Sequence, residues 1–125
     1  MAEVEASRTG MSALTDLQNS VCRKFGANFL ECSEALKIGI SKDFDPRYFP
    51  INGLRHPPEG DTTGWYIWSS ESFSDAPDFF VPLETKNLHE RCPEILKYLG
   101  LAPGWRFLIA PDYEDVWFDA SLLND

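Results

Sequence analysis

The stretch from Gly104 to Asp119, GWRFLIAPDYEDVWFD, limits the possible folds of this chain more than any other. Trp105, Phe107 and Ile109 alternate with Arg106, Leu108 and Ala110, the period of two that a strand imposes on its side chains. Pro111 lacks a backbone donor and stops the ladder. Asp112, Tyr113, Glu114 and Asp115 read as the turn, and Val116-Trp117-Phe118 as the returning strand. A hairpin alone is marginal in water, so a third strand or a helix must cover its apolar face. Gly64-Trp65-Tyr66-Ile67-Trp68 reads as another strand opened by the same Gly-Trp dipeptide, too few copies to define a repeat.

Upstream, Leu14, Leu17, Val21 and Phe25 recur at three- and four-residue steps and predict an amphipathic helix. Ser12 or Thr15 would cap its start, Asp16 suits the first turn, Arg23 and Lys24 suit the last, and Gly26 ends it. Residues 1–10 are polar and aperiodic, a flexible N-terminus ahead of a single domain over residues 11–125. Phe29-Leu30-Glu31-Cys32 fits the start of a strand or of a second helix, while Leu36 to Ile40 alternates as a strand. From Lys42 to Thr63 turn formers are dense, including Asp45-Pro46, Asn52-Gly53 and His56-Pro57-Pro58, which predicts one long loop. A loop of that length is functional or packed on itself, and Tyr48, Phe49, Ile51 and Leu54 would pin it. Phe79 to Leu83 is a short apolar strand stopped by proline. Thr85 to Arg91 reads as a helical turn, and Pro93 to Leu99, closed by Gly100, as a short helix before the hairpin. Helix, strands, helix and strands without βαβ alternation predict an α+β domain with a mostly antiparallel sheet.

A chain of 125 residues supports one core. Its net charge of −9 disfavours nucleic acid and anionic membranes as partners and suits a basic protein. Cys22, Cys32 and Cys92 are odd in number and lack CxxC spacing, as expected of free thiols in a reducing cytoplasm. No secretory h-region opens the chain and no apolar run is long enough for a bilayer. His56 and His89 lie at no ligand spacing from a cysteine, and no phosphate-cradling glycine loop is present, so neither a metal nor another cofactor is expected.

Asp112, Glu114, Asp115 and Asp119 gather about the hairpin turn, and Glu71, Asp75 and Asp78 follow the other Gly-Trp strand. Paired carboxylates serve hydrolases, yet Asp favours turns for backbone reasons alone. The stronger reading is an acidic patch that meets a basic partner, made of Asp75, Asp78, Asp112, Glu114 and Asp115 and anchored by Tyr113 and Trp117. Cys92 and His89, one helical turn apart, would supply a nucleophile and base, although a cysteine ahead of Pro93 also fits a small buried thiol. A small hydrolase and a homodimeric adaptor pairing through a sheet edge stay open on residue chemistry.

Gly64-Trp-Tyr-Ile-Trp68, Asp78-Phe-Phe80 with Pro82-Leu83, Leu88-His89, Cys92-Pro-Glu94, Tyr98 to Leu108 and Tyr113 to Trp117 together resemble a group of small bacterial proteins. These are immunity proteins of polymorphic toxin systems, the thirty-third such family. The resemblance covers roughly Gly64 to Leu123, and more loosely Phe29 to Ile40. It implies a single small α+β domain without catalysis that binds and blocks a cognate toxin; the chain itself is expected to be a cytoplasmic monomer or weak homodimer. It brings no set of binding residues, so the acidic patch rests on residue chemistry. Reversing Asp112 and Glu114 to lysine is then expected to weaken binding without touching stability.

Overall fold

A computed structural model describes residues 2–70, 74 and 76–123, with the side chains of the first helix from residue 13 onward. Helix α1 (Ala2–Phe25) precedes strands β1 (Lys37–Ser41), β2 (Ile51–Arg55), β3 (Thr62–Ser69) and β4 (Phe80–Glu84). A short helix α2 (Leu88–Arg91) and a 3-10 helix (Pro93–Tyr98) lead into β5 (Trp105–Ala110) and β6 (Tyr113–Phe118). The strands form one sheet in the order β4-β1-β3-β2-β5-β6, with β1 and β3 parallel and the other neighbours antiparallel. The α+β architecture, with its helix ahead of the C-terminal hairpin, is the expected one.

Alternation along β3 sets the two faces of the sheet. Trp65 and Ile67 join Val21 and Cys22 of α1 and Ile95 and Tyr98 of the 3-10 helix in the main core. Tyr66 and Trp68 join Leu54, Phe80 and Leu122 on the other face. Gly64 (φ +91°) and Gly104 (φ +97°) both hold a left-handed conformation that an L side chain rarely adopts. Gly104 leads directly into β5, whereas Gly64 lies inside β3, and the tryptophan after each glycine packs on the α1 side.

The structure departs from the sequence reading in five places. First, Ser12 and Thr15 lie inside α1 and do not cap it, because Ala2, Glu3, Glu5 and Ala6 extend the helix with good formers. Its other end stops at Gly26 as expected, with Ala27 N–H donating to Cys22 O at 2.8 Å. Second, the 42–63 stretch is not one loop. Ile51–Arg55 forms β2, an inner strand between β3 and β5. Asn52-Gly53 misleads because glycine serves close packing as well as turns: a Cβ on Gly53 would stand 2.2 Å from the Phe107 ring.

Third, Pro82 lies within β4, which is an edge strand with β1 as its one neighbour in the sheet, and a proline is tolerated in an edge strand. Fourth, the hairpin turn contracts to Pro111-Asp112. Tyr113 already pairs with Ala110, and Glu114 and Asp115 belong to β6. Charged residues suit an edge strand because they discourage pairing with another chain. Fifth, Phe29–Cys32 opens neither strand nor helix: Phe29 makes a single bridge to Leu101, and the segment is otherwise irregular.

Arg55 holds that irregular segment. Its side chain, 1% exposed, donates to the carbonyls of Thr63, Leu30, Leu99, Leu101 and Glu31 at 2.8–3.2 Å. Trp65 Nε1–H donates to Leu99 O at 3.0 Å, and the guanidinium lies 5.6 Å from the Trp65 ring centre. Three separated segments therefore share one buried cation.

Candidate functional site

Strand register decides which loops meet. Ser41 pairs with Phe80, Ile51 with both Ser69 and Ile109, and Ala110 with Tyr113. The connections 42–50 and 111–112, the end of β3 and the start of β4 therefore lie at the same end of the sheet. At that end Tyr48, Phe49 and Tyr113 are 60%, 41% and 55% exposed. Wet aromatic rings grouped together are informative where a lone exposed Leu is not. Phe49 and Tyr113 line a hollow of about 420 Å³ together with Tyr98, Pro111, Asp112 and Glu114, and with Glu94 and Lys97 of the 3-10 helix.

This hollow gathers Asp112, Tyr113 and Glu114 of the expected patch. The remaining candidates lie apart from it. Asp115 pairs with Leu108 and Trp117 with Arg106 across β5–β6, on the face opposite Glu114. Trp117 is half-buried beneath the Arg106 guanidinium, 5.2 Å from its ring centre, and Arg106 in turn pairs with Asp119 at 3.1 Å. Asp78 is exposed at the β4 edge, paired with Lys42 at 3.0 Å. Five strand spacings separate β4 from β6, about 24 Å. Asp75 and Glu71 lie outside the described residues.

The Imm33-like domain, an immunity-protein family, matches residues 17–119, which takes in all six strands and every residue of the hollow. The chain belongs to the Imm33-like domain family. No curated protein and no solved structure matches it.

Within this Imm33-like domain Glu114 is a structural clasp as well as part of the hollow. Its carboxylate accepts the Tyr98 hydroxyl and meets Lys24 Nζ at 3.0 Å, tying β6 to the 3-10 helix and to α1. The Tyr98 hydrogen bond, with help from Lys24, holds the carboxyl below its ordinary value. Burial first, and Glu114 second, push the Tyr98 hydroxyl up. Glu114→Lys would break this clasp, so the expectation that it leaves stability untouched does not survive.

A pH dependence follows. Because the folded carboxyl is depressed, its contribution is present above the unfolded value of about 4.5 and is lost as pH falls through the lower folded value. Glu114→Gln is expected to lower stability at neutral pH by about 1 kcal/mol. It should also flatten the acid limb of a melting-temperature profile recorded below that value. An acid limb as steep as the wild type's would mean that Glu114 carries none of it.

The nucleophile–base pair does not assemble. Cys92 is fully buried, and burial, then Glu94, push its thiol up to about 11. Its Sγ lies 4.0 Å from Glu94 Oε2, while His89 Nε2 pairs with Glu34 beside a separate cleft. A thiol with that environment holds almost no thiolate at neutral pH. Among the described residues no group of three His, Cys, Asp or Glu could hold a metal ion, and no helix is long and apolar enough to cross a membrane.

Sequence reasoning did not place Phe49, Glu94, Lys97 or Tyr98 at the site. By sequence Phe49 reads as a loop pin and the others as parts of a short helix. No local pattern links these segments to the hairpin: the pairing of β2 with β5 brings Phe49 to it, and the packing of Tyr98 on Phe107 and Glu114 brings the 3-10 helix.

Proposed function

We propose that this Imm33-like domain is a non-catalytic immunity protein of the bacterial cytoplasm, which binds a cognate toxin and occludes it. The contact is the end of the sheet carrying Phe49, Asp112 and Tyr113. One observation supports this above others: exposed aromatic rings stand beside carboxylates there, in a chain of net charge −9. Rings of this kind form the desolvated centre of protein interfaces. A negative field speeds encounter with a basic partner and rejects acidic ones. The inaccessible Cys92 thiol and the prior engagement of Glu114 favour binding over hydrolysis. Like charges on the β6 edge oppose pairing with a second copy and favour a monomer.

The test is titration calorimetry against a candidate toxin domain from the neighbouring reading frames. Asp112→Lys combined with Tyr113→Ala is expected to weaken binding about 30-fold or more. Its salt dependence should flatten and its melting temperature should stay within a few degrees of wild type. Glu114 is kept so that α1 stays clasped to β6. Unchanged affinity removes this end of the sheet from the interface, and no binding by the wild type sinks the immunity reading.

A further inference from the structure

We propose that the hollow between Phe49 and Tyr113 receives an arginine side chain of the partner. The identity of that partner rests on the immunity reading; the chemistry of the hollow does not. At about 420 Å³ it lies near the small end of ligand sites and suits one long side chain better than a cofactor.

Its lining combines two kinds of residue that a guanidinium uses together. Phe49 and Tyr113 both line the hollow and are exposed, and a planar cation stacks on aromatic rings. Glu94, Asp112 and Glu114 line the same space against the single ammonium of Lys97, so the lining is net negative. Among the described residues neither Asp112 nor Glu94 has a salt-bridge partner. Lys97 is not paired with either: its Nζ lies 5.3 Å from the Tyr98 ring centre and makes no salt bridge among the described residues. Glu114 is already committed to Lys24 and Tyr98, which leaves Asp112 and Glu94 as acceptors for an incoming fork of donors. An arginine supplies five N–H groups in a plane and is more weakly hydrated than an ammonium, so it enters at lower desolvation cost than lysine.

The probe is N-acetyl-arginine methylamide, titrated into the 15N-labelled full chain and followed by amide shifts, with the lysine and citrulline counterparts as controls. The expected result is saturable shifts at Phe49, Lys97, Asp112 and Tyr113 with arginine. Lysine should bind about tenfold more weakly, and citrulline, which lacks the charge, should shift nothing. Tyr113→Ala and Asp112→Asn, both at exposed positions, should each abolish saturation while the remaining spectrum stays native. Arginine shifts spread equally over distant exposed acids such as Asp61 and Asp78 would show charge screening and overturn the proposal. The two readings separate cleanly. Arginine saturation without toxin binding supports the hollow and defeats the immunity role. Toxin binding untouched by Phe49→Ala, with no arginine shifts, defeats the hollow and leaves that role standing.

Discussion

Arg55→Ala is expected to abolish the cooperative thermal transition followed by circular dichroism, or to leave a domain that melts near room temperature. The guanidinium makes five hydrogen bonds to backbone carbonyls from β3, from residues 30–31 and from residues 99–101. Each buried carbonyl left without a donor costs about 1–3 kcal/mol. Several together approach the whole stability of a small domain, about 5–15 kcal/mol. No carboxylate pairs with Arg55 among the described residues, so carbonyl dipoles and the Trp65 ring carry the burden of stabilising its charge. Burial pushes its pKa down, but a guanidinium remains protonated in a protein. Arg55→Lys separates charge from geometry. An ammonium has three donors and no planar fork, so it reaches at most three of the five acceptors. That variant is expected to fold with a loss of about 2–4 kcal/mol in urea denaturation. If it matches the wild type, the carbonyl network is not what matters at this position.

Trp65→Ala is expected to cost about 3–5 kcal/mol. The ring is 1% exposed, packs against Phe107 at 5.6 Å between centres, and donates its N–H to Leu99 O at 3.0 Å. Trp65→Phe keeps much of the buried area and removes one of the two donors to that carbonyl, which Arg55 still serves at 3.2 Å, and should lose about 0.5–1.5 kcal/mol. The two variants thus divide packing from hydrogen bonding. Trp105, the tryptophan of the other Gly-Trp dipeptide, is only half-buried and packs against Phe118, itself 48% exposed. Its replacement by alanine should therefore cost less than that of Trp65. Chemical denaturation of Trp65→Ala with a loss under about 1 kcal/mol would place the ring outside the core.

Local periodicity in the sequence was enough for α1, β1, β3, β5 and the Pro93–Tyr98 helix, because a turn of helix or a pleated strand reports only on neighbours a few residues away. The same logic located the end of α1 and the start of β5 after Gly104, where a backbone requirement is local. Tertiary structure alone decided β2, Arg55 and the hollow. Gly53 reads as a turn residue until Phe107 arrives from β5 to lie on its backbone. An arginine among prolines and glycines reads as a surface charge until carbonyls from distant segments converge on it. Asp112 and Tyr113 stood out as polar and aromatic residues near a turn, but their companions Phe49, Glu94 and Tyr98 come from separate segments. Long-range strand pairing and the packing of helices on the sheet set those distances, and neither leaves a trace in the spacing of neighbouring residues.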